Sequence, residues 1–295
     1  MSRIAYCNGR WLPIGAPAVA VEDRGLQFAD AVYEVIKAIG GRPCDLDRHL
    51  DRLGRSLAAL RIAWPVSRGA LGALIGEGLR RNTLRDAVIY LQAGRGAAPR
   101  AHPFPAKARP GLVLTFRRAV FPGRREVEEG VKVISAPDQR WARCDIKSVG
   151  LLPNVLARQR AAEASCREAW LVDADGMVTE GGGSNAYIVD GEGRLVTRPL
   201  GPDILPGVTR SVLLELARAN GIAVCERSFS LGEALEAREA LLSSTTSLVL
   251  PVIEIDGRPV GNGHPGEVGR SLLRLYAAHC GLGERYGRRT SANAA

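Results

Sequence analysis

The chain has 295 residues and a formal net charge of +9 at pH 7, with 46% hydrophobic and 24% charged residues. This balance excludes a disordered chain, a collagen and a disulfide-stapled miniprotein, and it is sufficient for a full hydrophobic core. The 40 basic residues include only four lysines, so 36 are arginines. A chain of this length is expected to form two domains.

The basic charge raises the alternative of a nucleic-acid-binding protein, because clustered cations neutralise phosphates. The arginines are instead spread along the whole chain among acidic residues, and aromatic residues reach only 5%. Stacking platforms for bases are therefore not indicated. We expect most arginines to lie on a solvated surface, and we expect no nucleic-acid partner.

No segment approaches the roughly 20 uninterrupted apolar residues that a membrane span requires. The N-terminus lacks the apolar core of a signal peptide. The six cysteines are scattered without a Cys-x-x-Cys pair, which signals neither a disulfide framework nor a zinc site. These features predict a reduced, cytoplasmic enzyme with no membrane partner and no bound metal.

Residues 1–120 alternate strand and helix signals, which predicts a smaller N-terminal α/β domain. Asn8-Gly9 indicates a hairpin turn, and AVYEVIKAI over residues 31–39 is rich in β-branched residues. A helix is predicted to begin near Asp45, because leucines recur after it at spacings of three and four. A second helix is predicted over 66–81, and strands are predicted over 87–93 and 111–116.

The segment 94–111 is dense in proline and glycine, so it can form neither a helix nor a central strand. An insert of this length is usually functional or disordered. A linker is predicted over 121–130. Residues 131–295 are dominated by strand signals and predict a larger, β-rich C-terminal domain with two peripheral helices, one over about 208–220 and one capped by Ser230. The fold class is α+β.

The four lysines can be considered one by one as a catalytic amine. Lys107 lies in the proline-rich segment, and Lys37 and Lys132 lie in strand patterns where a solvent-facing charge is expected. Lys147, in WARCDIKSVGLLPN, lies among apolar residues, a setting that suits Schiff-base chemistry. Its position alone leaves open the alternative that the ammonium group reaches water.

Three further motifs could bind a cofactor. Glu180 precedes three glycines in VTEGGGSN, where the backbone must bend, although a surface acid in a loose connection has the same pattern. In ILPGVTR, Val208 and Thr209 fall at a helix N-terminus, which is an anion-binding position. The run SSTTS over 243–247 adds hydroxyl groups where an apolar strand ends.

A lysine, a carboxylate and two hydroxyl-bearing anion sites are what pyridoxal 5′-phosphate requires of a protein. The motifs HLDRL, RCDIKS, VTEGGGSN, ILPGVTR and SSTTS, in this order and spacing, resemble the fold-type IV pyridoxal-phosphate enzymes. Within that family the chain is most similar to the D-amino-acid transaminases. The resemblance extends from residue 22 to about residue 260 and implies the two-domain fold-type IV architecture.

The resemblance assigns the cofactor residues. Lys147 would hold the cofactor as a Schiff base and move the proton at Cα of the substrate. Glu180 would bind the pyridine nitrogen and keep it protonated. The cofactor phosphate would be bound by Arg52, Val208, Thr209 and Thr245. Considered alone, Arg52 at the edge of the leucine stripe is also consistent with a solvated helix residue.

The resemblance also assigns the substrate site. In this family an Arg-x-His pair in the proline-rich loop binds the substrate carboxylate together with a tyrosine, and Arg100, His102 and Tyr33 match. Gly183 and Ser244 are expected to line the same site. Gly183 and the glycine before it replace serines that are common in the family, which indicates a roomier pocket. The family places this loop in the active site of the partner subunit, which implies an obligate homodimer.

The implied function is a ping-pong transfer of the amino group of D-alanine, or a related D-amino acid, to 2-oxoglutarate. Alternatives within the same fold are aminodeoxychorismate lyase, which eliminates pyruvate, and branched-chain L-amino-acid or (R)-amine transaminases. The Arg100 and His102 pair argues against all of these alternatives.

Overall fold

The structure, a computed structural model, describes residues 3–16 and 19–286. Residues 287–295 of the predicted C-terminal domain therefore lie outside the described part. The chain divides into two compact units. The first unit comprises the described residues up to Val120 together with Arg143–Leu151, and the second comprises Phe121–Ala142 and the described residues from Leu152 onward. The segment that carries Lys147 is thus part of the first unit, whereas the sequence predicts it in the second domain.

The first unit is built on an antiparallel sheet of six strands. The strands are β1 (Ile4–Cys7), β2 (Arg10–Pro13), β3 (Ala31–Ile39), β4 (Arg42–Pro43), β5 (Ala87–Gly94) and β6 (Gly111–Arg118). The helices are α1 (Arg24–Phe28), α2 (Leu46–Ala59) and α3 (Arg68–Arg81). Across the sheet the strands follow the order β2-β1-β6-β5-β3-β4.

The core of the first unit lies between one face of this sheet and helices α2 and α3. The strand register places Ile36 opposite Ile89 and Ile89 opposite Phe116, so alternate residues of three strands share that face. The leucines of α2 predicted as an apolar stripe pack against them. Burial of this stripe, more than helix propensity, is what holds α2 in place.

The second unit is built on a mixed sheet of nine strands. They are β7 (Val131–Pro137), β8 (Glu168–Val172), β9 (Val178–Gly181), β10 (Asn185–Val189), β11 (Leu195–Thr197), β12 (Val224–Glu226), β13 (Glu239–Ser244), β14 (Leu248–Ile255) and β15 (Arg258–Pro259). Eight of them follow the order β12-β11-β10-β13-β14-β7-β8-β9, and β15 pairs with β14. The helices are α4 (Arg124–Glu128), α5 (Leu152–Glu163), α6 (Val208–Ala219), α7 (Leu231–Glu236), α8 (Glu267–His279) and α9 (Gly283–Tyr286).

Most predicted elements are confirmed. The hairpin turn has Asn8 and Gly9 at positive φ, as an Asn-Gly turn between two strands requires. Strand β3 has the predicted bounds, and no helix or strand of the described chain lies between β5 and β6, where the proline-rich segment runs. In α7 the Ser230 hydroxyl accepts a hydrogen bond from the Glu233 amide at 3.0 Å, as a helix cap does. The α+β fold class is confirmed.

The prediction of only two helices in the C-terminal half is wrong. Helix α5 buries only Ala157 and Ala161, and these small side chains give no apolar stripe that a sequence pattern could detect. Its Pro153 is tolerated because amide groups in the first turn of a helix need no partner within it. Helix α8 does bury Leu272 and Tyr276 at helical spacing. This pattern is a helix signal in the sequence, and the prediction of a strand-dominated domain did not include it.

One expectation about surface charge is wrong, and another has exceptions. Lys132 is exposed, as predicted, and it pairs with Glu254 at 2.8 Å. The prediction for Lys37 is wrong, because strand β3 is buried on both faces and Lys37 is 1% exposed. Arginines 24, 52, 95 and 210 are buried as well and do not lie on a solvated surface. A buried guanidinium must be paired or hydrogen-bonded, so each of these side chains organises its surroundings.

Helix α3 offers a direct test of the packing against the sheet. A Cβ added to Gly78 would lie 1.9 Å from Cζ of the Phe116 ring, whereas one added to the exposed Gly76 on the same helix meets nothing within 4 Å. We expect Gly78→Ala to lower the free energy of unfolding by about 1–3 kcal/mol through overpacking. We expect Gly76→Ala to raise it by up to about 1 kcal/mol through helix propensity.

The measurement is urea denaturation of both variants beside the parent protein. Equal midpoints for Gly78→Ala and Gly76→Ala would contradict the close packing of α3 on β6.

Candidate active site

Lys147 is positioned in the first unit by the start of strand β3. The Tyr33 amide donates to the Lys147 carbonyl at 2.9 Å, and the Val149 amide donates to the Ala31 carbonyl at 3.1 Å, so this segment pairs with the strand. Ile146, next to Lys147, is buried in the core and anchors the segment there. The Lys147 ammonium lies 4.2 Å from the centre of the Tyr33 ring. The structure thus brings together two residues predicted for catalysis and substrate binding.

Arg52 lies on α2 and contacts strand β3. Its Nε and Nη2 donate to the two oxygens of Glu34 at 2.8 and 2.6 Å, which is the bidentate arrangement typical of an arginine and a carboxylate. Glu34 is fully buried, and Arg52 is 4% exposed. The alternative of a solvated helix arginine is therefore wrong. Glu34 is the residue that sets the orientation of the Arg52 guanidinium.

His49 completes this buried cluster. Burial would raise the pKa of the Glu34 carboxyl, but the charge and hydrogen bonds of Arg52, with a bond from His49, lower that pKa to about 2. Burial, together with the charges of Arg52 and Lys37, lowers the pKa of His49 below its usual value, although Glu34 acts in the opposite direction. Since Glu34 is an anion that only accepts, Nδ1 of the neutral His49 ring donates to it at 2.8 Å. The cluster thus pairs one carboxylate with one guanidinium, and the charge of the buried Lys37 also acts on His49.

The loop between β5 and β6 carries Arg100 and His102. The Arg100 guanidinium lies 4.5 Å from the centre of the Phe28 ring, and the His102 ring centre lies 5.4 Å from it. Phe28 thus packs against both side chains at the end of α1. The structure brings the predicted pair of carboxylate ligands together on one aromatic side chain.

Glu180 lies at the end of β9 in the second unit and is 4% exposed. Arg140 forms an ion pair with its Oε1, the Asn185 amide nitrogen donates to its Oε2 at 2.9 Å, and the Leu205 amide lies 3.2 Å from both oxygens. A carboxylate that accepts from a cation and two amides is held as an anion in a defined orientation. The alternative of a surface acid is therefore wrong.

Arg140 is a site residue that sequence reasoning missed. Its Nε and Nη2 donate to the two oxygens of Asp138 at 2.9 and 2.7 Å, and its Nη2 also donates to the Asp203 carbonyl at 2.9 Å. Burial would raise the pKa of Asp138, but the hydrogen bonds and charge of Arg140 hold it below the usual value. A strand end with the pattern Asp-x-Arg is too common to be a signal in a single sequence, so only the fold identifies this arginine.

Asn185 joins Glu180 to the N-terminus of α6. Besides its bond to Glu180, its amide nitrogen donates to the Leu205 carbonyl at 3.1 Å. A Cβ on Gly207, the residue that caps α6, would lie 2.0 Å from the Asn185 amide oxygen. Glycine is therefore required there, and it has no side chain with which to cap the helix. The amides of the first turn of α6, including those of Val208 and Thr209, form the kind of terminus that binds anions.

The predicted hydroxyl groups lie beside this helix terminus. Strand register places Asn185 opposite Ser243, and Ser244 and Thr245 follow at the turn between β13 and β14. The Ser244 hydroxyl accepts from the Ser247 amide at 3.0 Å, which shapes the turn. The Thr209 hydroxyl lies 3.0 Å from the Tyr276 hydroxyl in the interior. Within the second unit, the predicted cofactor residues thus gather around Asn185.

Gly183 lies in the bend between β9 and β10. A Cβ on Gly183 would meet only the Glu168 carboxylate, at 3.8 Å, so the position has space for a side chain. A Cβ on Gly182 would lie 3.1 Å from the Arg158 side chain, which takes up that space. The prediction of a roomier pocket therefore rests on Gly183 alone.

The described residues hold no group of three or more His, Cys, Asp or Glu side chains arranged to bind a metal ion. Among the helices of the described chain, none combines the length and the apolar character needed to cross a bilayer.

Comparisons with known proteins agree with this geometry. A family model described as amino-transferase class IV matches residues 31–255. A D-alanine aminotransferase of Bacillus licheniformis is 41% identical over 265 residues, covering 90% of this chain and 93% of that one. A D-alanine aminotransferase of Listeria innocua is 38% identical over 271 residues, covering 91% and 93% of the two chains.

Solved structures show the same fold. A branched-chain amino acid aminotransferase from T.th., solved with pyridoxamine 5′-phosphate, superposes with a TM-score of 0.87, 26% identity and 97% coverage of both chains. The Escherichia coli branched-chain aminotransferase gives a TM-score of 0.87 over 96% of both chains at 24% identity, which speaks for the fold alone. With a family model that spans most of the chain and relatives above 30% identity over nine tenths of it, the chain belongs to the class IV aminotransferases, the fold-type IV pyridoxal-phosphate enzymes.

Proposed function

We propose that the protein is a D-amino-acid transaminase that moves the amino group of D-alanine, or a related D-amino acid, to 2-oxoglutarate. The observation that carries the proposal is the 34–41% identity, over about nine tenths of the chain, to relatives named D-alanine aminotransferase. The pairing of Arg100 with His102 on Phe28 supports it, because two adjacent donors suit a substrate carboxylate.

The residues of the second unit fit pyridoxal 5′-phosphate. Glu180 is a buried carboxylate oriented by Arg140 and Asn185, as a partner for a protonated pyridine nitrogen must be. The N-terminus of α6, with Val208 and Thr209, offers amides and a hydroxyl to a phosphate. Further phosphate ligands in this proposal are Thr245 and, from the first unit, Arg52.

The bound cofactor supplies an electron sink that stabilises negative charge at Cα of the substrate. In the proposed mechanism Lys147 holds the cofactor through its amine and moves the proton at Cα in both half reactions. Glu180 stays an anion and keeps the ring nitrogen protonated, since its three donors stabilise the charged carboxylate. Tyr33, Arg100 and His102 bind the substrate carboxylate, and Gly183 and Ser244 line the substrate site.

Replacing Lys147 tests the covalent role. We expect Lys147→Ala to lose transaminase activity by several orders of magnitude, because both the attachment and the proton transfer depend on one amine. We also expect borohydride treatment to leave the cofactor removable by denaturation and dialysis, whereas it fixes the cofactor to the parent protein. The visible absorbance of the denatured protein measures this.

Lys132→Ala is the matched control, because Lys132 is an exposed lysine paired with Glu254. It should behave like the parent protein. Borohydride fixation that persists in Lys147→Ala would show that another lysine holds the cofactor.

A donor profile tests the proposed chirality. With 2-oxoglutarate as acceptor we expect D-alanine to be used with a kcat/KM at least about a hundredfold above those of L-alanine and L-leucine. Formation of pyruvate or of the branched 2-oxo acid is the measurement. Preference for L-leucine, the outcome that the branched-chain structural relatives would suggest, contradicts the proposal. Pyruvate from aminodeoxychorismate without an acceptor would identify a lyase instead.

We further propose that the chain forms a homodimer. Helix α5 exposes Leu152, Val155 and Leu156 at spacings of three and four, with exposed fractions of 69, 56 and 54%. The opposite side of α5 is already buried through its alanines against β7 and β8. An apolar stripe of this kind on a helix that already has one packing partner is typical of a subunit interface.

The oligomeric state tests this stripe. We expect the protein to have twice the chain mass of 31.5 kDa in light scattering, and Leu156→Lys to shift the mass towards that of one chain, because it would bury a charge. Ala73→Lys, which places the same charge at an exposed position of α3 away from this stripe, should remain dimeric. A parent protein with the mass of one chain would rule out the dimer.

A cytoplasmic location is also proposed. The six cysteines are scattered along the sequence without a Cys-x-x-Cys pair, a pattern that fits a chain from a reducing compartment.

A further inference from the structure

The loop between β5 and β6, residues 95–110, has no helix or strand of its own, although it carries Arg100 and His102. A segment this long outside the strands of the sheet must be ordered by other contacts if it is to present side chains in one geometry. Its first residues are fixed by backbone bonds to the chain around the start of α1. The Arg24 amide donates to the Gly96 carbonyl at 3.0 Å, and the Ala98 amide donates to the Glu22 carbonyl at 3.2 Å.

The two ends of the loop also meet. Gly96 has φ of +95°, and a Cβ there would lie 2.1 Å from the Arg109 carbonyl oxygen. Only glycine permits this backbone conformation and this close approach. The ends are therefore clamped, but neither contact reaches Arg100 or His102 at the centre of the loop.

The centre is held by the Arg24 side chain. Its Nη1 donates to the Ala101 carbonyl at 2.5 Å and its Nη2 donates to the His102 carbonyl at 3.2 Å. The guanidinium therefore bridges two consecutive carbonyls, that of Ala101, which lies between the two proposed carboxylate ligands, and that of His102 itself. Arg24 is 3% exposed, so these bonds are shielded from competing water.

Asp30 fixes the Arg24 guanidinium in turn. The Arg24 Nε donates to the Asp30 carboxylate at 2.8 Å. Arg95 binds the same carboxylate through Nε at 2.7 Å and Nη2 at 3.0 Å. Burial would raise the pKa of Asp30, but the hydrogen bonds and charges of Arg95 and Arg24 keep it below the usual value.

Two guanidinium groups on one carboxylate leave one positive charge unbalanced within this cluster. Buried charge is costly unless its hydrogen-bonding groups are satisfied. Arg95 donates to the Leu60 and Arg61 carbonyls at 2.7 and 3.1 Å, and Arg24 donates to the loop. The peptide groups at 101 and 102 are thus the acceptors on which the Arg24 charge depends, so the loop conformation and the buried charge stabilise each other.

We propose that Arg24 is a positioning residue, which holds the backbone of the loop so that Arg100 and His102 are presented together to the substrate carboxylate. The inference rests on the proposed function of that pair. Its physical basis is preorganisation, because a loop that is already ordered does not lose conformational entropy when substrate binds. Lysine cannot replace it fully, since one ammonium lacks the planar fork that reaches two carbonyls and a carboxylate at once.

The test compares Arg24→Met, Arg24→Lys and the parent protein, all loaded with cofactor. We expect Arg24→Met to raise the KM for D-alanine and for 2-oxoglutarate at least about tenfold with a smaller change in kcat, because binding of the carboxylate is affected. Arg24→Lys should give an intermediate KM. The visible absorbance of bound cofactor should be unchanged in both variants.

Hydrogen–deuterium exchange supplies a readout that is independent of activity. In Arg24→Met we expect the peptide that spans residues 97–106 to exchange at least about tenfold faster, while peptides of β3 and β5 keep their parent rates. Unchanged exchange and unchanged KM in Arg24→Met would overturn the inference. If Arg24→Met does not fold, Arg24→Lys alone carries both measurements.

A mutant cycle distinguishes positioning from a general loss of stability. The double variant Arg100→Ala with His102→Ala lacks both proposed carboxylate ligands. Adding Arg24→Met to it should change its KM by no more than about twofold. If Arg24→Met raises the KM of the double variant as much as it raises that of the parent protein, the positioning role is overturned. If Arg100→Ala and His102→Ala do not themselves raise the KM, the carboxylate assignment of the proposed function is wrong, and the exchange rates then decide by themselves whether Arg24 orders the loop.

Discussion

Buried carboxylates held by arginine are the interaction on which the functional parts of this protein depend. Glu34 binds Arg52 with two hydrogen bonds, and Glu180 shares Arg140 with a neighbouring aspartate. Removing a charge from water is costly, so each of these groups is stable only in the geometry that satisfies its partners. Each buried pair therefore has few alternative side-chain conformations. A side chain that must touch a cofactor or a substrate gains a fixed orientation from such a partner.

The same principle explains how irregular segments carry precise chemistry. Lys147 lies between helices and strands, yet its segment pairs with β3 and is anchored by Ile146 in the core. Asn185 connects the carboxylate at the end of β9 to the glycine that opens α6. Functional side chains often lie on loops. A few buried hydrogen bonds can hold such a loop as rigidly as the neighbouring sheet. Catalysis by positioned charge requires this rigidity before the substrate arrives.

Local signals were sufficient for the elements whose pattern is set by neighbours in the chain. The Asn8-Gly9 turn, the strand over residues 31–39 and the leucine stripe of α2 all follow from short-range geometry and the period of apolar residues. Glu34 could have been recognised, since it shares the core-facing positions of β3 with its apolar neighbours. Helix α5 could not, because its buried alanines give no periodic contrast.

The amino-acid sequence alone determined the family, the cofactor and the candidate residues. These follow from the order and spacing of the motifs, that is, from the type of each side chain and its place along the chain. The tertiary structure alone decided which charges are buried. Arg24 and Arg140 look like any other of the 36 arginines until the fold brings a carboxylate and a set of carbonyls around them. A pairing between residues far apart in sequence depends on how the sheets fold, and no local pattern encodes it.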